Sequence, residues 1–409
     1  MNLDDLKKQY AELIVNKGVN IQKGQRLLIN SPVECADFAR ACAEAAYKNG
    51  CREVVMSWSD DALTRMRFMY AEDSVFDKMN EWDALQKNAL GEEGCAVISI
   101  YAEDPENLKG VDSERVDRWQ KTRGAALDVY YKHMTRNDYQ WNVVSVPTDK
   151  WAMAVFPNLS KDEAVEKLWM EILSASRADK EGALEAWTKH TDELQTNLKK
   201  LNEYNFKYLK YKNSLGTDFT AELPEDHYWA GGEETSAKGV KFSANIPTEE
   251  IFTLPKKDSI NGKIVASKPL CINGNIIDGF YFIVKDGKIV DLHADQGEEI
   301  LRKAIAVDEG ACYFGELALV PYDSPISNSG ILFLNTLFDE NASCHLAFGE
   351  AYPCIKGSEN MSDDELKARG VNYSITHEDF MIGTADLSII GITHDGKEVP
   401  VFVNGNFAI

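Results

Sequence analysis

Two apolar strand-like runs, Arg26-Leu27-Leu28-Ile29-Asn30 and Glu53-Val54-Val55-Met56-Ser57-Trp58, bracket a single helical stripe, and this arrangement most narrows the possible folds. Cys35, Phe38, Ala39, Cys42, Ala45 and Ala46 recur at spacings of three and four, which marks one buried helix face. Ser31 reads as the N-cap, with Pro32 at the first helical position, Glu34 closing a capping box and Gly50 ending the helix. A strand–helix–strand unit of this length implies parallel strands and a right-handed crossover. Further strands are expected at Cys95–Ile100 and Trp141–Val146. Helices are expected over Asp112–Met134 and, after a second capping box at Ser160-Lys161-Asp162-Glu163, over Ala164–Ala175. The first part of the chain is therefore expected to be an open α/β domain with parallel strands.

The pattern changes after a helix expected from about Lys180 to Lys200. Phe206-Lys207-Tyr208-Leu209-Lys210-Tyr211 alternates with period two, as a half-exposed antiparallel strand does. Ile276–Val284 and Lys288–Leu292 flank Lys285-Asp286-Gly287, and Leu387–Thr393 and Val399–Val403 flank Asp395-Gly396. Asp-Gly favours a tight hairpin turn in both places. The second half is thus expected to be an α+β domain rich in antiparallel strands. With 409 residues the chain suits two domains of roughly 200 residues, placed at 1–200 and 201–409.

Four stretches of that second domain put acids and imidazoles among apolar or small residues: Thr248–Thr253, Gly315–Ala318, Asp339–His345 and His377–Asp379. Carboxylates in apolar surroundings need a neutralising partner, and none of these stretches contains Arg or Lys. Divalent metal is the economical partner. Glu250, Glu316, Glu340 and Asp379 supply four negative charges, which two divalent ions cancel. Without metal such a cluster would repel itself, and some of its pKa values would rise. Two ions held close together can activate water and stabilise a tetrahedral oxygen, as peptide hydrolysis requires.

Taken singly, these residues have plainer readings. Glu250 after Glu249 suits a solvated cap, Glu340 an exposed turn and His345 a hydrogen-bonded core histidine. His377-Glu378-Asp379 suits a helix start capped by Thr376, and Tyr352 a packing residue. A carboxylate at Glu316 is harder to place so, because Leu317-Ala318-Leu319-Val320 after it reads as buried.

Other chemistries lose ground on motif and charge. His377-Glu378 is not H-E-x-x-H, since Met381 stands at the second histidine position, and the G-x-x-x-x-G-K-[ST], G-x-G-x-x-G and G-x-S-x-G patterns are absent. Cys344 and His345 are neighbours, so on a strand they face opposite ways and make a poor nucleophile–base pair. His133, His190, His227, His293 and His394 lack acidic companions at ligand-like spacing and are expected to be structural or superficial. A net charge of −22 disfavours nucleic acid and anionic membrane as partners. No apolar run reaches the roughly 20 residues that span a bilayer. Eight cysteines without a C-x-x-C pair, and a first segment without a secretion-signal pattern, fit a reducing cytoplasm.

The whole chain resembles the thermophilic-type metalloaminopeptidases, most densely at Pro247–Phe252, Gly315–Ala318, Asn335–Gly349 and His377–Asp379. The resemblance implies that Glu250 is a terminal metal ligand and Glu316 a bridge between two ions. His345, His377 and Asp379 would complete the set, with Glu340 beside or within it. Tyr352, in Glu350-Ala351-Tyr352-Pro353, matches a catalytic tyrosine; the candidate proton shuttle is Glu316 or another acid close to the ions, between which the sequence does not choose. It further implies a two-domain, dimerising subunit that binds two zinc or cobalt ions, with manganese or magnesium as further candidates, and removes N-terminal residues from short peptides. The rivals are a two-metal hydrolase of another bond, such as a phosphoester, and a non-catalytic peptide- or metal-binding protein.

Overall fold

Leu27, Leu28 and Ile29 are all buried, so the strand Arg26–Pro32 is covered on both faces, as the interior strand of a parallel sheet must be. The computed structural model describes residues 1–102, 104–272 and 275–409. Strand Arg26–Pro32 pairs in parallel with Glu53–Ser59 on one side and Ala96–Ile100 on the other. Trp141–Val144 and then Asn245–Ile246 extend the same parallel sheet to five strands. Helix Ala36–Lys48 makes the crossover, burying Phe38, Ala39, Cys42, Ala45 and Ala46.

Ser31 and Pro32 do not start that helix. They end the strand, opposite Trp58 and Ser59, and the Ser31 hydroxyl donates to the Pro32 carbonyl at 2.9 Å. A 3-10 turn at Val33–Cys35 intervenes, so full-length strand pairing prevails over a locally plausible capping box. The second capping box is present: Ser160 N–H donates to Glu163 Oε2 at 3.1 Å ahead of helix Lys161–Ala175. The helix expected over Asp112–Met134 is two, Ser113–Ala126 and Asp128–Thr135, parted at Leu127.

The chain forms two compact units. One comprises Met1–His190, Glu233–Thr248 and Leu332–Leu337, and carries the parallel sheet; the other comprises Thr191–Gly232, Glu249–Ile331 and Phe338–Ile409. Helix Ala183–Tyr204 spans the division between them in sequence. The second unit holds an eight-stranded antiparallel sheet and a four-stranded antiparallel sheet. In the former, Tyr281–Lys285 and Lys288–His293 form a hairpin whose turn residues, Asp286 and Gly287, have φ of 49° and 75°. The strand expected over Ile276–Val284 is interrupted: Asn275–Ile277 pairs separately with Leu270–Ile272.

The four-stranded sheet positions the chemistry. Its order is Ile251–Thr253, Phe314–Leu319, His345–Gly349 and His377–Met381. One face supplies Phe314, Leu317, Leu319, Leu346, Phe348 and Phe380 to a large apolar core. Phe314 and Leu317 are three residues apart, yet both join that core. A bulge between Phe314 and Glu316 makes this possible: Phe314 opposes Phe348, whereas Glu316 opposes Ala347 and Leu317 opposes Leu346. The extra residue leaves Glu316 on the other face.

Candidate metal centre

Strand alternation and this bulge put Glu250, Glu316, His345, His377 and Asp379 on one side of the small sheet, whereas Glu340 and Tyr352 reach the site from outside its strands. Glu316, Ala347 and Asp379 lie in one cross-strand row. Ala318 and His345 oppose one another in the next row, and Gly349 and His377 in the row on the other side. Phe252 opposes Ala318, so Glu250, two residues earlier, falls on the same side. Ala347 is small and fully buried, which leaves space between the flanking carboxylates.

Two overlapping clusters result. Glu250, Glu316 and His345 each offer one ligand atom within a mutual span of 4.8 Å, and so do Glu316, His377 and Asp379. Glu316 is common to both. His345 Nε2 stands 3.4 Å from Glu250 Oε2 and 3.6 Å from Glu316 Oε1. His377 Nε2 stands 3.7 Å from Glu316 Oε2 and 3.4 Å from Asp379 Oδ1. Among the described residues these two imidazoles are the only basic groups within ion-pair distance of Glu250, Glu316 or Asp379. Glu340, on the 3-10 turn Glu340–Ala342, belongs to neither cluster, though its charge acts on its neighbours.

Backbone carbonyls orient both rings. His345 Nδ1 lies 3.2 Å from the Ser343 carbonyl, and His377 Nδ1 lies 2.8 Å from the Glu350 carbonyl. A carbonyl accepts only, so each Nδ1 carries the proton and each Nε2 is turned toward the carboxylates. His345 is 1 % exposed and Glu316 6 %.

The electrostatics match a crowd of acids without a cation. Burial, then the charges of Asp379 and Glu250, raises the Glu316 carboxyl against the opposing pull of His345. Glu340 is driven well above the usual carboxylate range by burial first, then by Glu250 and Asp379. Burial alone would lower both imidazoles, but the carboxylates outweigh it. Glu250 and Glu316 hold His345 well above its ordinary value, and Asp379 followed by Glu316 brings His377 up to about 9. Asp379 is itself lowered: burial opposes this, and His377 and His345 prevail.

Tyr352 stands at the edge of the cluster, its ring centroid 5.7 Å from His377 and 6.2 Å from Phe252. Desolvation near the cluster, then the charges of Glu316 and Asp379, pushes its phenol up to about 12, although 59 % of the residue is open to solvent.

The remaining candidates fall elsewhere. Cys344 points into the core beside Val320, and burial lifts its thiol to about 12, as expected for an inert residue. Cys354 is likewise buried. His190 and His227 are buried against the carbonyls of Thr248 and Pro224. His133 does have an acidic companion, Asp138 at 2.7 Å, and exposed His293 has two, Asp295 and Glu298, at 3.4 and 3.0 Å. Neither pairing joins the cluster. Gly315, Ala347 and Asn341 adjoin the acids and imidazoles of the site but carry neither charge nor imidazole, so the pattern of titratable residues in the sequence does not single them out.

Three comparisons bear on this geometry. The sequence model of the thermophilic metalloprotease (M29) family matches residues 3–407. The chain is 45 % identical over 400 residues to aminopeptidase AmpS of Bacillus subtilis (strain 168), covering 98 % of this chain and 97 % of that protein. It is 46 % identical over 401 residues to aminopeptidase 2 of Geobacillus stearothermophilus, with the same coverage of 98 % and 97 %. Its structure superposes on wild-type AmpT from Thermus thermophilus with a TM-score of 0.93 at 35 % identity, covering 100 % of both chains. Matched along nearly its whole length by family, relatives and fold alike, the chain belongs to the thermophilic metalloprotease (M29) family.

Proposed function

We propose that this protein is a metal-dependent aminopeptidase that releases N-terminal residues from short peptides, with two divalent ions held by Glu250, Glu316, His345, His377 and Asp379. The observation that carries this reading is Glu316, shared by two three-residue clusters on one sheet face. The donor set fits the ions. Nitrogen and oxygen ligands each about 2.0–2.1 Å from a tetrahedral ion stand about 3.4 Å apart. The four imidazole–carboxylate separations are 3.4–3.7 Å, longer than good hydrogen bonds. Asp379 Oδ1 is buried with no hydrogen-bond partner, which suits a ligand atom. Glu340 would lie beside this set or complete it.

When bound, such a pair supplies Lewis acidity that lowers the pKa of water and offsets charge on a carbonyl oxygen. The chain's residues do the rest. The Ser343 and Glu350 carbonyls hold the two imidazoles in the ligating tautomer. Glu316, or the neighbouring carboxylate of Glu340 that belongs to neither ligand cluster, accepts the proton of the attacking water and passes it to the leaving amine. Tyr352 donates from its phenol to the developing oxyanion, a role suited to a hydroxyl that keeps its proton at neutral pH.

Zinc or cobalt is the proposed pair, with manganese and magnesium as alternatives, since shells of oxygen and imidazole accept several metals. We also propose two functional domains, with the metal site in the second, a homodimer and a cytoplasmic location. The eight free cysteines suit the last of these, and among the described residues no helix is long and apolar enough to cross a membrane.

The test is to strip the protein with a chelator, titrate zinc and cobalt back, and assay aminoacyl p-nitroanilides, their N-acetylated forms and p-nitrophenyl phosphate. Two ions per chain should restore cleavage of the free-amine substrates only. Cleavage of the acetylated substrates, or of the phosphoester alone, would overturn the reading.

A further inference from the structure

The chain must bring Glu250 and Glu340 together from places 90 residues apart in sequence, and neither lies within a strand of the small sheet. Strand pairing begins at Ile251, just after Glu250, and Glu340 lies outside the sheet, so ladder hydrogen bonds do not tie the two carboxylates to each other. Asn341 spans the gap. It is completely buried on the 3-10 turn Glu340–Ala342, and its Oδ1 accepts the backbone N–H of Glu249 at 2.7 Å. An N–H can only donate, so this bond fixes which end of the amide faces Glu249. The other end, Nδ2, is thereby turned to Glu340 and lies 3.5 Å from its Oε1. One neutral side chain touches the segment that carries Glu250 and the carboxylate of Glu340.

We propose that Asn341 is the positioning residue that sets the ion affinity of this site, by locking the Glu249-Glu250 segment to the Glu340 turn. The inference rests on the metal-dependent reading above. Its physical basis is preorganisation: Glu249 is itself buried, at 1 % exposure, so an unmade bond at its N–H has no water to replace it. Loss of the amide would leave that N–H unsatisfied and free the segment to shift. Glu250 would then have to be brought into place by the ion itself. Groups that hold metal ligands in this way contribute typically about 10–100-fold to ion affinity. A neutral amide also suits the position electrostatically, since a further carboxylate would add repulsion to Glu250, Glu316, Glu340 and Asp379.

Asn341→Ala and Asn341→Asp separate the two contacts. The first removes both, and the second keeps an oxygen acceptor for Glu249 N–H but cannot donate to Glu340 when ionised. Zinc affinity is measured by competition with a chromophoric chelator, and coordination by the visible absorption of cobalt bound to the full-length protein. Asn341→Ala should bind zinc about 10–100-fold more weakly than the wild type and show an altered cobalt spectrum. Asn341→Asp should fall between the two. Circular dichroism of the metal-free variants identifies any that fail to fold, and a folded Asn341→Asp suffices for the test if Asn341→Ala is not folded. Wild-type or tighter zinc affinity in either folded variant would overturn the proposal. Wild-type protein that binds two ions but cleaves no peptide would remove the aminopeptidase reading and leave Asn341's role standing. Wild-type protein that binds none would remove both.

Discussion

Gly315→Ala tests how closely the bulge sets the catalytic geometry. A Cβ at residue 315 would stand 2.0 Å from the Glu350 carbonyl oxygen and 2.5 Å from its carbon, whereas side-chain carbons essentially never approach closer than 3.0 Å. Something must therefore yield by at least 1.0 Å, the difference between 3.0 and 2.0 Å. Both candidates for movement matter. If the bulged strand retreats, Glu316 leaves its place between the two clusters. If Glu350 retreats, its carbonyl withdraws from His377 Nδ1, which it now meets at 2.8 Å, and the imidazole loses its orientation. A misplacement of about 1 Å can cost on the order of 10²-fold in rate, equivalent to roughly 2.7 kcal/mol of barrier. Overpacking adds about 1–3 kcal/mol of destabilisation. The assay is turnover of leucine p-nitroanilide at saturating zinc or cobalt, beside the melting temperature of the metal-free protein. Gly124→Ala is the control, because a Cβ there meets nothing within 4 Å and the helical site should gain up to about 1 kcal/mol. Wild-type turnover in Gly315→Ala would show that the close approach at the bulge does not govern the site.

Glu316→Gln should abolish hydrolysis and reduce ion content below two per chain by elemental analysis; an active variant retaining two ions would refute the sharing of Glu316. Tyr352→Phe should lower kcat by about 10²–10³-fold with ion content unchanged, the usual loss of one oxyanion donor. A fall in ion content instead would make the tyrosine structural. His227 tests acid sensitivity away from the metal site: burial holds its imidazole down to about 4, against the opposing pull of the Pro224 carbonyl. The unfolded chain binds that proton below about pH 6.5, so the folded state loses stability as pH falls from there toward 4, by roughly 3 kcal/mol in all. Urea unfolding of the wild type and His227→Gln, compared at each pH, should show a shallower loss in the variant, and parallel curves would exclude the histidine as the cause.

Much of the architecture could be read from neighbouring residues alone. Period-two alternation over Phe206–Tyr211, the helical stripe from Cys35 to Ala46, the capping box at Ser160 and the Asp286-Gly287 turn are local patterns, and each corresponds to an observed element. Ser31 shows where that approach stops. Its cap motif is locally sound, but pairing with Trp58 keeps it in a strand, and that pairing depends on another segment. The acids and imidazoles were also legible, because carboxylates in apolar text demand a partner wherever they come to rest. Their arrangement was not. Whether Glu316 faces the core or His345 depends on one extra residue in a strand, and a one-residue change in register moves a side chain to the opposite face. Composition thus determined which residue types this protein gathers, and strand pairing decided which atoms meet, because registry is set by contacts between segments far apart along the chain.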